Sequence, residues 1–523
     1  MPRPADYARV VPGRLLLAVA GGLLLTTAFE PIAIPYVVPF GVAAFALATR
    51  DLTVRRSGLV GLVFGVAFYF VHIEWMRRSV GPDAWLALSA TVALFYGVLG
   101  LAVPLLRRLP AWPVWLAAAW TAMEQIHSTW PLSGMPWGRL SFAAVDTPAA
   151  QAAPYLSLTG VSFVLALTGF LLAAAVERWR RPLVPVAGLV AVLALLMIPA
   201  VHPYHVHETG SAVVAAVQGD LPGPANQILW DYRAVTDNHV AATEQLAQDV
   251  ANGTEPAPDF VLWPENSTAI DPFADASINS GIRSAVAAIG VPVVVGAIVD
   301  DGPSHVLNQG IVWDPHSGAG DRYTKRHPVP YGEYIPFRNL WDPDFGQLSA
   351  IARDMDSGTR TSPLTVAGIK VADAICFDIA YDDVVRSQVA QGAELLTVQT
   401  SNATFIYTNQ VAQQFAITRL RAMEAGRWLV VASPNGRSGV IAPDGTVVAS
   451  APLRTEAVLD ERVGLVSQLT PATRMGAWPG RLFTGASALG LALGALAYRR
   501  SRDHSGSTGA AEDAPELSEA RTP

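Results

Sequence analysis

The chain has 523 residues, room for two domains, with a formal net charge of -7, hydrophobic residues at 51% and charged residues at 15%. That balance is too apolar for an ordinary soluble enzyme, and no basic, aromatic-interleaved stretch suggests a nucleic-acid partner. A single cysteine, Cys376, excludes an intrachain disulfide and a cysteine-rich metal site, while Lys325 and Lys370 are the only lysines among 36 basic residues.

From the N-terminus, apolar runs recur at 13–28, 33–49, 57–76, 84–106, 111–127, 160–176 and 183–200, with a late one at 481–498. A hydrocarbon core of about 30 Å needs roughly 20 apolar residues, so the runs at 13–28, 33–49 and 111–127 are marginal spans and the others ample ones. The first run lacks a small-residue cleavage site and other runs follow at once, which argues against a removable signal peptide. Arginines cluster between alternate runs: Arg3, Arg9, Arg14; Arg50, Arg55, Arg56; Arg107, Arg108; Arg178, Arg180, Arg181; and Arg499, Arg500, Arg502. The intervening loops hold only Arg77, Arg78 and Arg139. The excess of positive charge predicts a cytoplasmic N-terminus, seven spans, an extracytoplasmic domain after about residue 205, and an eighth span returning the chain inside. ATP and most cytosolic cofactors are absent from that outer compartment. The loop at 128–158, with Ser133-Gly134-Met135-Pro136-Trp137-Gly138, suits an interface-lying segment, either as an aromatic anchor or at a substrate mouth. His202, His205 and His207 have a spacing open to a metal, but no carboxylate cluster joins them.

The expected division is therefore a helical membrane bundle over 1–205, an extracytoplasmic catalytic domain over 206–475, a last membrane helix over 476–500 and a disordered cytoplasmic tail over 501–523, rich in Ser, Gly, Glu and Pro. In the second of these, short β-branched runs mark strands at Val213–Val217, Phe260–Trp263, Val291–Ile298, Val306–Trp313, Ile369–Ile375, Leu395–Val398 and Trp428–Ala432. Helical patterns fall at 235–250, 276–289 and 408–426, and the alternation predicts an α/β fold with a largely buried sheet.

Three polar clusters sit at strand ends, where α/β folds place their sites. Glu265 follows Phe260-Val261-Leu262-Trp263-Pro264, Lys325 lies in Tyr323-Thr324-Lys325-Arg326-His327 ahead of Tyr331-Gly332-Glu333, and Cys376 ends Ala372-Asp373-Ala374-Ile375. Singly, each has a structural explanation: a helix cap, a solvated charge, a small core residue. Together they supply a mechanism. A thiol with a free pKa of about 8.5 must lose its proton to attack a carbonyl. A carboxylate can take that proton, and a compact ammonium can stabilise both thiolate and oxyanion. No comparable Ser/His/Asp set and no Gly-rich phosphate loop is present.

In order and spacing, Val217-Gln218-Gly219, Trp263-Pro264-Glu265-Asn266, Tyr323-Thr324-Lys325, Tyr331-Gly332-Glu333 and Ile375-Cys376-Phe377-Asp378 resemble the nitrilase superfamily. Seven preceding spans and one trailing span make the chain similar to its membrane-embedded branch, the apolipoprotein N-acyltransferase family, over nearly all its length apart from the tail. The resemblance implies a four-layer αββα nitrilase-like sandwich inserted into a bundle of about eight transmembrane helices in a bacterial cell membrane. It implies Glu265 as general base, Lys325 as oxyanion-stabilising cation and Cys376 as nucleophile, with Glu333 as a second acidic residue and Trp230 shaping a lipid entrance. It further implies acyl transfer from a phospholipid to the diacylglyceryl-cysteine of a lipoprotein through a thioester, with no metal and no cofactor. Phe377 stands where a Tyr is common and Asp378 where a Glu is common; Ser401-Asn402-Ala403-Thr404-Phe405 also lacks the acidic and Trp residues often found there. These departures bear on donor preference and on positioning of the second substrate. Two alternatives stay open: a membrane-tethered amidase in which water resolves the acyl-enzyme, and a non-catalytic membrane anchor for a partner enzyme.

Overall fold

The computed structural model describes residues 4–224, 227, 230–340, 348–349 and 351–509. The apolar runs fold as helices: α1 (Pro4–Thr26), α2 (Val38–Ala48), α3 (Val54–His72), the short α4 (Trp75–Ser79), α5 (Pro82–Leu106), α6 (Trp112–His127), α7 (Ala153–Glu177) and α8 (Leu183–Val201). Five helical stretches are long and apolar enough to cross a membrane: Val54–His72, Pro82–Leu106, Ala150–Glu177, Leu183–Val201 and Trp478–Arg500. The three marginal runs form shorter helices, since α2 spans 11 residues, α6 spans 16, and the apolar part of α1 begins at Pro12. Glycine lets α3 and α5 pack backbone to backbone. A Cβ at Gly61 would collide with the Tyr96 carbonyl oxygen, and one at Gly100 with that of Ser57. Such small-residue seams hold helices together where lipid offers no hydrophobic drive to associate.

From Glu208 onward the period changes from helical to extended. The helices here are α9 (Tyr232–Ala251), α10 (Ala276–Ile289), α11 (Asp382–Ala390), α12 (Gln410–Ala425), α13 (Pro471–Met475) and, past the domain, α14 (Trp478–Gly509). Helix α10 shows how its ends are set. The Asp275 carboxylate accepts from the amides of Ser277 and Ile278, and Gly290 closes the helix at φ 74°. The strands are β1 (Glu208–Gln218), β2 (Phe260–Leu262), β3 (Val293–Asp301), β4 (His305–Asp314), β5 (Gly318–Thr324), β6 (Asp354–Met355), β7 (Leu364–Val366), β8 (Ile369–Ile375), β9 (Leu395–Gln399), β10 (Leu429–Ala432), β11 (Gly439–Ile441), β12 (Val447–Ser450) and β13 (Ala457–Val466).

The residues alone suggested one buried sheet; the strands form two. One runs β13-β1-β2-β3-β4-β5, with β6 beside β4, and the other β12-β11-β10-β9-β8-β7. Each has a parallel centre, β1-β2-β3 or β8-β9-β10, and antiparallel borders. The sheets meet face to face. The Gln399 amide on β9 donates to the Trp263 carbonyl at 2.6 Å, and a Cβ at Gly310 on β4 would strike the side chains of Gln399 and Asp373. The parallel centres point their C-terminal ends at the same region, which brings the residues after β2, β8 and β9 together.

The domain is locked to the helical bundle by buried charge. Asp382, at the start of α11, accepts from Arg139 at 2.6 Å and from Arg421 of α12 at 2.8 Å. Burial works to raise its pKa, and the two guanidiniums overcome that and hold the carboxyl well below the usual range. The amide of Leu158 in α7 donates to Glu424 at 2.8 Å. Helix α14 continues to Gly509, and residues 510–523 of the expected tail lie outside the described residues.

Candidate active site

Glu265 leaves β2 through a tight turn and is buried, 3% exposed. Its Oε1 accepts from Asn308 Nδ2 of β4 at 2.7 Å and from Lys325 Nζ at 3.3 Å, and its Oε2 from the Ser401 backbone amide at 2.7 Å. A carboxylate receiving three donors is held in one pose.

Lys325 follows β5 and is fully buried. Its backbone is pinned on both sides, its amide donating to the Asn308 carbonyl at 2.9 Å and its carbonyl accepting from Gly358 at 2.8 Å. The ammonium lies between Glu265 and Glu333, 2.5 Å from the latter. Burial pushes the lysine toward neutrality, but the charges of Glu265 and Glu333, then Cys376 and Asp378, outweigh it and raise its pKa. Glu333 in turn accepts from the Val329 amide at 2.8 Å. Burial raises its pKa, against the pull of Lys325.

Cys376 ends β8 in the left-handed region, at φ 54°, and starts a short 3-10 turn, Cys376–Ala380. A non-glycine residue held there at the end of a strand carries local backbone strain. The thiol is buried, 8% exposed, and its pKa is pushed up to about 12. Burial is the largest cause and the Glu265 charge the next; Lys325 and a hydrogen bond from the Thr400 hydroxyl pull it down. The thiol therefore feels both the acid and the ammonium.

Phe377 and Asp378, two of the departures from the resemblance, lie in this turn. Phe377 stacks on Trp137, with ring centres 5.2 Å apart and planes within 8°. Trp137 is thus buried against the cysteine turn (1% exposed) rather than anchored at a membrane interface. Asp378 is buried with both oxygens occupied: Tyr323 Oη at 2.7 Å and the Arg326 amide at 3.1 Å on one, the His327 amide at 2.9 Å on the other. Its carboxylate ties the lysine loop to the cysteine turn.

Trp230 does not join this cluster. It is 62% exposed and lies over Gly223, at the foot of α9. In Gln227-Ile228-Leu229-Trp230-Asp231, the segment that carries it, residues 228 and 229 fall outside the described residues. His202, His205 and His207 form no metal-holding group among the described residues. Sequence reasoning missed Asn308, Thr400 and the Ser401 amide. An Asn-Gln pair inside the otherwise apolar run Val306–Trp313 was the available signal for the first. A backbone amide leaves no signal at all.

Comparison with known proteins covers both halves. Residues 21–171 match the apolipoprotein N-acyltransferase N-terminal domain, and residues 213–467 match the carbon-nitrogen hydrolase family. An apolipoprotein N-acyltransferase of Mycolicibacterium smegmatis is 37% identical over 490 residues, covering 88% of this chain and 82% of that protein. One of Photobacterium profundum is 27% identical, covering 89% of this chain and 92% of that protein. Among solved structures, an amidase from Nesterenkonia sp. AN1 is 18% identical, with a TM-score of 0.37, over 52% of this chain and 99% of the amidase. With a relative this similar along nearly its whole length, the chain belongs to the apolipoprotein N-acyltransferase family.

Proposed function

We propose that this protein moves a fatty acyl chain from a phospholipid to the α-amine of a diacylglyceryl-cysteine at a lipoprotein N-terminus, with Cys376 as the carrier. The observation that carries the reading is the buried Glu265–Lys325–Glu333 charge cluster acting on the chain's only cysteine, itself set at a strained strand end. Because the thiol rests protonated, attack needs a base at that moment, and Glu265 takes the proton as Sγ bonds to the ester carbonyl carbon. Lys325 stabilises the oxyanion. The ester C–O bond breaks, Glu265 returns the proton to the leaving oxygen, and a lysophospholipid departs. The acceptor amine then attacks the thioester; C–N forms, C–S breaks, and the amine proton passes through Glu265 to the thiolate. Glu333 keeps Lys325 charged and in place, and Phe377 and Asp378 hold the turn.

The two facing sheets with α9–α10 and α11–α12 are read as a four-layer αββα sandwich. We assign 1–205 and 476–500 to the membrane as eight crossings, 206–475 to the extracytoplasmic side of a bacterial cell membrane, and residues from 501 to the cytoplasm. Exposed Trp230, Phe337, Leu340 and Tyr407 on loops of that domain suit a surface that admits lipid. Neither step needs metal or nucleotide.

Intact mass spectrometry of the purified protein with phospholipid tests this. An acyl adduct on Cys376 that passes to a diacylglyceryl-cysteine peptide, and stays in a water-only control, is expected. Free fatty acid in both samples would instead identify a hydrolase, and no adduct under any condition a non-catalytic anchor.

A further inference from the structure

One amide on α12 gathers the membrane-side segments around the cysteine turn. Gln413, 6% exposed, accepts at Oε1 from two indole N–H groups, Trp75 Nε1 at 3.0 Å and Trp137 Nε1 at 2.8 Å. Its Nε2 donates to the Glu30 carbonyl at 3.0 Å and the His72 carbonyl at 3.4 Å. Indoles only donate and carbonyls only accept, so the amide has one possible orientation and its full hydrogen-bonding capacity is used. The two indoles also pack against each other, 5.8 Å between centres. Trp137 carries the arrangement onward, because its ring lies flat on Phe377, the residue after Cys376.

The geometry points to Gln413 as a positioning residue for the nucleophile, acting through Trp137 and Phe377. A residue held at φ 54° relaxes unless its surroundings fix it, and the covering ring on Phe377 comes from the loop between α6 and α7, not from the domain that supplies Cys376. The cysteine turn, held within the domain through Asp378, thus takes a further support from the helical bundle. This rests on the reading of Cys376 as nucleophile.

The test uses the full chain in detergent and two readouts: steady-state acyl transfer, and alkylation of Cys376 by iodoacetamide, which needs no lipid. Gln413→Met keeps the length and loses the amide. Trp137→Phe keeps a ring on Phe377 and loses the N–H. Misplacing a reactive group by about 1 Å can cost roughly a hundredfold, so Gln413→Met is expected to lower kcat by about ten- to a hundredfold, with KM within about twofold. Alkylation slows in parallel. Trp137→Phe acts in the same direction, and the double variant is no worse than the poorer single one. Gln413→Glu, whose protonated carboxyl keeps the acceptor for both indoles and one of the two donors, restores part of the rate lost in Gln413→Met. Effects that multiply in the double variant, or a lowered melting temperature with kcat and alkylation unchanged, would overturn the proposal. Should Gln413→Met not fold, Trp137→Phe decides: a kcat loss at constant KM and melting temperature supports it, no loss overturns it. If the alkylation pattern holds while the wild-type protein gives no acyl adduct, the acyl-transfer reading fails and the positioning role stands.

Discussion

Cys376 is under two opposed electrostatic influences, and their signs make its environment testable. Burial and the Glu265 charge favour the thiol, while Lys325 and Thr400 favour the thiolate, with the balance at about 12. At neutral pH the group is a thiol, so its reaction with iodoacetamide should climb steadily with pH. At a fixed pH near 9, Glu265→Gln removes an anion that raises the pKa, so labelling should speed up. Lys325→Met removes the cation that lowers it, so labelling should slow. Acyl transfer should fall in both, by about a hundredfold or more for the loss of a proton acceptor. Labelling that slows in Glu265→Gln would show that the carboxylate does not act on the sulfur. Glu265 and Cys376 stood out in the sequence because each closes an apolar run, and Lys325 because it is one of only two lysines. The work of Asp378 was not. It read as an Asp where a Glu is common, bearing on donor preference and on the second substrate, whereas its oxygens are filled by Tyr323 and by backbone amides of Arg326 and His327, some fifty positions away in the chain.

Among the elements, those carrying their own boundary signals were read to the residue: Ile369–Ile375 by its β-branched run, and 276–289 between its capping Asp275 and Gly290. Of the antiparallel borders, β4 was read to within one residue at each end, while β5, β7, β11, β12 and β13 were not read. Strand β12, Val447–Ser450, is largely exposed and four residues long, and its identity comes from pairing with β11. Nor does any local pattern say that strands belong to two sheets. The seam between them holds Asp373, whose Oδ1 accepts from Thr397 at 2.7 Å while Oδ2 faces the Gly310 backbone near Gln399 Oε1. Burial raises its pKa to about 7, well above the roughly 3.9 of an unfolded Asp. The folded state then binds more protons between those values, so this group's contribution to stability is full below about pH 4, is lost as pH climbs toward 7, and is flat beyond. Asp373→Asn, with an amide donor aimed at Gln399, should remove that slope. Thermal unfolding in detergent at pH 5 and pH 8 checks it: the wild-type midpoint should drop more between the two than the variant's. Equal drops would mean that Asp373 is not neutral in the seam.

Across the whole molecule, charge is sorted between the two ends of the helical bundle. At one end Arg14 donates to carbonyls at the close of α2, Arg107 pairs with Glu177 at 2.7 Å, and Arg108 lies over Tyr498 of α14. At the other end Glu30, Trp75, Trp137 and Arg139 meet the α/β domain. Arg14, Arg107 and Arg108, drawn from two of the arginine clusters, thus lie at the end away from the domain, and positive charge is retained on the cytoplasmic side of a membrane. A domain on the outer face would meet lipoprotein N-termini and the outer leaflet directly, and would have no ATP, which fits an acyl transfer driven by exchange of an ester for an amide. The orientation is open to a direct experiment because the chain has one native cysteine. In a Cys376→Ala background, single cysteines placed at exposed Asp83, in the first turn of α5, and at exposed Ser280, on α10, should react with a membrane-impermeant maleimide in sealed right-side-out vesicles. A cysteine at exposed Arg56, near the start of α3, should react only after detergent is added. Labelling at 56 but not at 280 in sealed vesicles would invert the molecule, place the cysteine site among cytosolic thioesters, and require a different acyl donor.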